Sequence, residues 1–581
     1  MKKISFYTTA LCMGLTISLT SCEDMFGDFL DKAPSNELTE EQTFKEWETT
    51  RQFHFDTYNY LRHGACRINN SWMDAATDLA ITSYANAGTR LSFNIGNYYA
   101  NAGSSELTAT WEHYYRAIRK CNMLLERIDN VPKPTDEMDT YEVNKMNYKG
   151  ESRFLRAYFF WELFLRYGAI PMVTEVLDPN GDLLSNYRER PSVKTYVDFI
   201  MKELDECEDQ LMDKPAETDR GGRICKPMAR ALLSRVKLYM ASDRFRSESS
   251  VTWADAAATA QSFIDDYGNL YSLDIAYGEN MLKNAHEAKN PETIFWRNDV
   301  QMGWLTIMND TPVGEGGNGG LCPSQNLIDM YDMADGTSPF KIYDETGAPV
   351  YNGLEPTVAQ GSTYNDAAPC ANRDPRLAAS ILYQGVRWGS GQINVIKGQR
   401  DNPIGNANAT PTGYYVRKYI PEEILVNNHT GVSYRNWTII RYAEILLNYA
   451  EALNEADYDA NKGTICGLLD QIRHRAGITG NVADRQDLDN QEAMRNFIRK
   501  ERTVELAFED HRAWDVRRWN VAEKALGHDI IGMEVTMGNG NEVIFTRKKT
   551  QSRVFEAKMY LYPIPETEVW KTNIENNPGW K

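Results

Sequence analysis

Charged and histidine side chains are most concentrated between Glu501 and Asp515, where the chain has the residue types that perform acid–base catalysis. Glu501, Glu505 and Glu509 follow one another at intervals of four, which places successive carboxylates one turn apart on a helix. Arginines in the same stretch can pair with carboxylates at that spacing. We therefore interpret the cluster as a structural ion network, with a catalytic site as the alternative.

Aromatic residues in polar, non-helical stretches could serve a different chemistry, the binding of sugars. The apolar face of a pyranose ring packs on an aromatic ring, while its hydroxyl groups need a few fixed polar partners. The chain has 13 Trp and 32 Tyr, most of which we assign to the core. The carbohydrate-binding candidates are Trp72, Tyr84, Asn86, Arg90, Trp296, Arg297 and Trp304, with Trp388 as an outlying one.

Evidence for metal or cofactor chemistry is weak. Asp178, Asn180 and Asp182, with Glu189 further on, imitate a calcium loop, but the glycine is in the wrong place and Pro179 intrudes. The eight histidines are scattered, and zinc-protease, Walker A, dinucleotide-binding and serine-hydrolase motifs are absent from the sequence. We expect no metal, no cofactor and no catalytic activity. A glycosidase, which needs two carboxylates about 5–10 Å apart, stays open as an alternative.

The N-terminus predicts export and lipidation. Lysines at positions 2 and 3 precede an apolar stretch over residues 4–19, which is typical of a secretory signal peptide and short for a membrane span. Cys22 follows small residues, and this arrangement resembles the lipobox of bacterial lipoproteins. An ordinary signal peptide with an incidental cysteine is the alternative. Since each buried CH₂ contributes about 0.8 kcal/mol, several acyl chains on Cys22 would hold the protein at a membrane.

Composition excludes some partners. The net charge of −18 repels phosphate backbones and argues against nucleic acid. The cysteines that follow Cys22 are Cys66, Cys121, Cys207, Cys225, Cys322, Cys370 and Cys466. Seven widely spaced cysteines without a C-x-x-C pair indicate neither a disulfide framework nor a zinc site. We expect buried thiols, with at most one or two disulfides.

The elements that must position these side chains are mostly helices. Residues 154, 158, 161 and 165 are apolar at helical spacing and predict a deeply buried helix. Residues 226–266, and again 438–476, predict helix pairs in which alanines face large side chains, as in tetratricopeptide units. Between about 268 and 435 helical periodicity fades, residues 314–320 include five glycines, and short strands are expected at 293–297 and 414–419.

These patterns divide the chain into five parts. They are a signal peptide (1–21), a lipidated N-terminus and tether (22–40), an N-terminal helical scaffold (41–267), a loop-rich ligand-binding segment (268–435) and a C-terminal helical segment closing the same body (436–581). Because loops on a rigid scaffold often carry binding residues, the fourth part is the expected functional region.

Several motifs together resemble the SusD/RagB family of outer-membrane nutrient-binding lipoproteins of Bacteroidetes. They lie at residues 29–34, 153–158, 167–171, 373–377, 441–453, 472–477, 501–519, 562–565 and 577–580. Asp510 departs from the family pattern, which has glycine there, and this bears on a local turn. The resemblance spans nearly the whole predicted mature chain.

The resemblance implies a mostly α-helical scaffold with tetratricopeptide-like helix pairs and a loop-rich face that binds an oligosaccharide or polysaccharide. It also implies a TonB-dependent, SusC-like transporter as partner, lipid anchoring, and a place on the outer face of the outer membrane. Glu23 and Asp24 beside Cys22 resemble the signal for surface export. Alternatives are a peptide-capturing receptor on the same scaffold, a surface glycosidase and a pure tetratricopeptide adaptor.

Overall fold

The computed structural model describes residues 39–580 apart from 69–70, 84–88, 101–105, 136–138, 179, 183–188, 216–221, 279–290, 298–300, 427 and 435–436. Cys22, Glu23 and Asp24 lie outside the described residues.

The helices in the N-terminal half are α1 (Glu40–Thr43), α2 (Trp47–Asp56), α3 (Thr89–Ile95), α4 (Ala109–Arg127), α5 (Tyr141–Tyr167), α6 (Val193–Glu208), α7 (Lys226–Ala241) and α8 (Trp253–Tyr267). Those that follow are α9 (Trp304–Ile307), α10 (Gln325–Met330), α11 (Pro375–Ser380), α12 (Glu422–Val426), α13 (Tyr442–Arg475), α14 (Gln491–Glu505), α15 (Arg512–Arg518), α16 (Ala522–Leu526) and α17 (Glu566–Thr572).

The described strands form two-stranded antiparallel sheets, and all of them except β13 and β14 are short. The antiparallel pairs are β1 (Ala80–Thr82) with β4 (Leu321–Pro323), β2 (Thr293–Arg297) with β12 (Trp437–Arg441), β3 (Gln301–Met302) with β11 (Ser433–Tyr434), β5 (Tyr351–Asn352) with β6 (Glu355–Pro356), β7 (Ile381–Leu382) with β10 (Tyr415–Val416), β8 (Arg387–Trp388) with β9 (Gly391–Gln392), and β13 (Ile530–Met537) with β14 (Val543–Gln551). The mostly helical class is confirmed. The strand predicted at 293–297 is confirmed, and the one predicted at 414–419 is shorter, only Tyr415–Val416.

Seven helices form a row in which each contacts the next, in the order α4, α5, α6, α7, α8, α13 and α14. The predicted pair α7 and α8 is present, with Pro227 in the first turn of α7 and a capping box between Thr252 and Asp255 at the start of α8. Helix α13 is interrupted at Asp457, whose backbone is extended, and so provides the second predicted pair as two consecutive helical segments.

Helix α5 is the deeply buried helix of the N-terminal scaffold that was predicted from the sequence. Phe154, Tyr158 and Trp161 are fully buried, as predicted, and Leu165 is half-buried. The helix ends at Gly168, whose positive φ of 72° favours glycine, and whose N–H donates to the Phe164 carbonyl at 2.9 Å. The main hydrophobic core extends from this helix through the loop-rich segment to the C-terminal helices, so these parts share one packed interior.

The acidic cluster at the end of α14 is an ion network, as predicted. Glu505 is completely buried, and its carboxylate accepts hydrogen bonds from Arg441 (2.7 Å), Arg376 (3.1 Å) and Arg475. Burial alone raises the pKa of Glu505, but these three guanidinium groups outweigh burial and hold that pKa well below its ordinary value. The network joins α11, the β12–α13 junction and α14, and therefore fixes the loop-rich segment on the scaffold.

Asp510 occupies a left-handed turn. Its φ is 66°, a conformation that glycine adopts without strain and most other residues avoid. This explains why the family pattern has glycine at this turn. The Asp510 carboxylate accepts a hydrogen bond from Arg67 Nε at 2.8 Å, a contact that glycine could not make. Within the described residues, six cysteines are unpaired, and five of them are buried, consistent with small apolar core residues.

The Asp510 carboxylate also disfavours the ionised form of a second buried acid, Asp74. Burial first, and the neighbouring Asp510 charge second, raise the pKa of Asp74 to about 8. The folded protein therefore holds a proton on Asp74 between about pH 4 and 8, where the unfolded chain has lost it. Because the native state binds the extra proton, this group makes the free energy of unfolding fall as pH rises through that range, and level off above pH 8.

We expect Asp74→Asn to flatten this pH dependence. Four pKa units correspond to about 5 kcal/mol as an upper bound, so the expected effect is a few kcal/mol. The measurement compares the fall in melting temperature from pH 5 to pH 8 in the two proteins. Equal falls would show that Asp74 does not carry a proton in the folded state.

Candidate functional site

The structure removes Trp72 from the predicted sugar-binding residues. Its side chain is only 2% exposed, and its ring packs against Tyr419 and Trp437, with 5.7 Å between ring centroids in each case. Its indole N–H donates to Asp310 Oδ2 at 3.1 Å. A ring enclosed in this way offers no face to a ligand, so Trp72 is a core residue. The outlying candidate Trp388 is buried as well, with 1% exposed.

Three other candidates from the stretch after Trp72 cannot be placed as side chains. Tyr84 and Asn86 lie outside the described residues. Arg90 lies in the first turn of α3, and its side chain is outside the described part of the structure. All three stay predictions.

Trp296 and Arg297 lie at the end of β2, where they pair with Thr438 and Trp437 of β12. Both side chains are half-buried. The Trp296 ring lies against Gly222, where an added Cβ would come within 2.4 Å of the indole, so a side chain at position 222 would displace the ring. Trp296 is thus held close to the backbone of a neighbouring segment, with part of its surface exposed.

Trp304 begins α9 and forms the most distinctive aromatic feature of the loop-rich face. Its half-buried indole stacks on the exposed imidazole of His429, with 3.7 Å between the ring centroids and 9° between the ring planes. Gly316 of the glycine-rich loop borders both rings, because a Cβ built there would lie 3.7 Å from His429 and 3.9 Å from Trp304. Glycine at that position, with φ of 83°, lets the backbone pass beside the stack.

Polar side chains surround the neighbouring residue Glu315. The buried Glu315 carboxylate accepts hydrogen bonds from Arg400 Nη2 at 2.9 Å and from the Ser390 hydroxyl at 2.9 Å. Gly389 approaches so closely that a Cβ there would lie 2.8 Å from the carboxyl group, and its N–H donates to Glu422 Oε1 at 3.0 Å. Arg400 is partly exposed, so its guanidinium is held in position at the surface by a buried carboxylate.

A string of amide side chains continues this polar surface. Asn318 donates to Asn309 Oδ1 at 3.2 Å, and Asn408 donates to Asn318 Oδ1 at 3.3 Å. The Asn318 N–H donates to the carbonyl of Met308, directly after α9, so the string lies next to the helix that carries Trp304. All three amides are half-buried. Fixed amides are the kind of polar partner that the hydroxyl groups of a sugar need.

We define the candidate site as Trp304, His429, Glu315, Arg400, Asn318 and Asn408. Only Trp304 was predicted from its residue type and surroundings. The glycine-rich run at 314–320 was the available signal for Glu315 and Asn318, because glycine marks places where the chain passes close to other groups. His429, Arg400 and Asn408 had no local signal.

The stretch that imitates a calcium loop forms a local turn at its start. Asp178 Oδ1 accepts the backbone N–H of Asn180 at 2.9 Å, which is an ordinary Asx turn. Among the residues that the structure describes, no three histidine, cysteine or acidic side chains are grouped so that they could hold a metal ion. No helix within the described ranges of residues 39–580 is both long and apolar enough to cross a membrane.

Comparison with known proteins gives a consistent result. Residues 278–580 match the model of the SusD family, and residues 28–238 match a family described as starch-binding and associating with the outer membrane. A SusD-like protein from Formosa agariphila, P25, is 22% identical over 524 residues, which cover 87% of this chain and 88% of that protein.

Solved structures share the fold. A SusD-like protein from Bacteroides fragilis superimposes with a TM-score of 0.76 at 25% identity, covering 94% of this chain and all of that one. A laminarin-binding SusD-like protein gives a TM-score of 0.58 at 22% identity, over 92% of this chain and 100% of that one. Surface glycan-binding protein A from Bacteroides fluxus gives 0.61 at 21% identity, over 92% and 99%.

Proposed function

The chain belongs to the SusD family, and from that premise we propose that it is a cell-surface protein that binds glycans and passes them to a SusC-like, TonB-dependent transporter without catalysis. The observation that carries the proposal is the Trp304 platform, which is the indole stacked with His429 beside Gly316. The loop residues on either side of Gly316, Glu315 and Asn318, bind Arg400 and Asn408. The names of two similar structures, one laminarin-binding and one glycan-binding, support this ligand class.

The ligand class follows from the chemistry of the platform. A pyranose ring needs an aromatic surface for its C–H face and fixed donors and acceptors for its hydroxyl groups. The amide string supplies both donors and acceptors, and the Arg400 guanidinium supplies donors only. The acidic cluster that could have suggested hydrolysis is occupied by structural ion pairs, which supports a structural role for that cluster.

The test is a binding screen on the purified full-length protein. We expect at least one of maltohexaose, laminarihexaose, cellohexaose, xylohexaose and mannohexaose to bind, and a set of unrelated peptides of similar mass not to bind. Maltohexaose and laminarihexaose represent the starch and laminarin named for the matched family and structure. Binding of peptides with no binding of any hexasaccharide would replace the glycan proposal with a peptide receptor. Release of shorter sugars during the assay would indicate a glycosidase.

Anchoring is proposed through Cys22. We expect Cys22→Ala to abolish surface retention, because the thiol that would receive the lipid is lost and no acyl chains then hold the protein at the membrane. The measurement is antibody labelling of intact cells, with Cys12→Ala, within the predicted signal peptide, as the matched control. Glycan binding by the purified variant should be unchanged. Surface labelling of the Cys22→Ala variant at the level of the Cys12→Ala control would contradict lipid anchoring.

A further inference from the structure

The stack between Trp304 and His429 leaves no room for a ligand between the two rings. Ring planes only 9° apart with centroids 3.7 Å apart are in van der Waals contact. A sugar ring inserted between them would require roughly twice that separation, because it would need contact distance on each side. A sugar can therefore reach the indole face under His429 only if the imidazole moves away.

The position of His429 is set by the way α12 ends. The Asn428 N–H donates to the Leu425 carbonyl at 3.1 Å, and the His429 N–H donates to the Ile424 carbonyl at 2.9 Å. These two bonds are those of a Schellman motif, with Asn428 and His429 at φ of 54° and 66°. The motif fixes the backbone of His429 while its side chain stays exposed, so the imidazole can leave Trp304 by a change of rotamer alone.

Exposed apolar side chains lie in the chain segments that carry Trp304 and His429. Leu305, Val426 and Val432 are all exposed, and they lie next in sequence to Trp304, at the end of α12 and just before β11. Val432 lies close to the residue before Trp304, since its Cγ1 lies 3.9 Å from a Cβ built at Gly303. His429 is exposed and Trp304 is half-buried, so the stack lies at the surface of the protein.

We propose that His429 is a gating residue of the glycan site, which covers the Trp304 face in the free protein and is displaced by a pyranose ring. This inference rests on the proposed function. The imidazole occupies the place where the C–H face of a sugar would stack, and so makes each ligand compete with an internal contact. Only sugars with a continuous apolar face recover the lost stacking, which makes His429 a determinant of specificity as well as of affinity.

The first readout needs no ligand. Hydroxyl-radical footprinting with mass spectrometry measures how accessible the Trp304 ring is in the full-length protein. We expect its oxidation to rise in His429→Ala and to stay at the original level in His429→Phe, which keeps a ring on the indole. His474→Ala, an exposed histidine on α13, is the matched control. Unchanged Trp304 oxidation in His429→Ala would overturn the gate.

The second readout is affinity for the hexasaccharides of the binding screen. An aromatic stack of this kind weakens a competing ligand by about 2- to 10-fold, so we expect His429→Ala to bind that much more tightly than the original protein. His474→Ala should bind as the original protein does, and His429→Phe should gain less affinity than His429→Ala because it keeps a ring on the indole. Binding by the original protein with equal or lower affinity in His429→Ala would overturn the gate and leave the proposed function intact. Failure of every variant to bind any of the five sugars would instead overturn the proposed function, and the gate with it.

Discussion

Glu505→Ala should lower the free energy of unfolding by about 3–5 kcal/mol, since it removes one partner from a buried ion network. Arg441, Arg376 and Arg475 all donate to this carboxylate, and each would keep its buried charge with less compensation. The guanidinium groups stay buried and out of contact with water in the variant. Without the carboxylate, the free-energy cost of their desolvation is no longer offset by an ion pair. For a chain of this length the change corresponds to about 3–4 °C in melting temperature.

Scanning calorimetry of the purified protein measures this effect. Glu492→Ala is the matched control, because Glu492 lies on the same helix in an exposed position and its removal should cost less than about 1 kcal/mol. A melting temperature for Glu505→Ala within 1 °C of that for Glu492→Ala would mean that the network does not hold the C-terminal helices and the loop-rich segment together.

The helical scaffold could be predicted because its signals are local. Apolar residues at helical spacing identified the buried face of α5, and glutamates four apart identified the ion network. The strand Thr293–Arg297 was also correct, since four consecutive residues of high β-propensity, Thr293 to Trp296, interrupt a polar stretch. In each case the pattern that carries the prediction lies within a short run of consecutive residues.

The binding surface was harder to predict because its geometry depends on distant contacts. Trp72 has polar, irregular neighbours in sequence, yet Asp310, 238 residues away, accepts its N–H and Tyr419 and Trp437 enclose its ring. His429 is the opposite case. Nothing near it in sequence marks it as a binding residue, and it is placed on Trp304 by the end of a helix that lies more than a hundred residues further along the chain.

Trp304→Ala should weaken glycan binding by about 10- to 100-fold, the loss expected when a principal aromatic contact is removed. The indole is half-buried and begins a short helix, so the substitution removes the stacking surface while leaving the amide string in place. The expected change in affinity is opposite to that of His429→Ala. Trp304→Ala removes the surface to which the sugar binds, whereas His429→Ala uncovers it.

Trp570→Ala is the matched control for this change. Trp570 lies on α17 and is 73% exposed, so its loss removes an accessible indole that is no part of the candidate site. Both variants should keep the melting temperature of the original protein to within a few degrees, which shows that any change in affinity is local.

The most direct test of whether the glycan binds at Trp304 is isothermal titration of the original protein, Trp304→Ala and Trp570→Ala. The ligand is the hexasaccharide that binds best in the screen. We expect the original protein and Trp570→Ala to give the same dissociation constant, and Trp304→Ala to give one that is about 10- to 100-fold larger. Equal affinity in all three proteins would show that the glycan binds elsewhere, and would contradict the assignment of the Trp304 platform as the binding site.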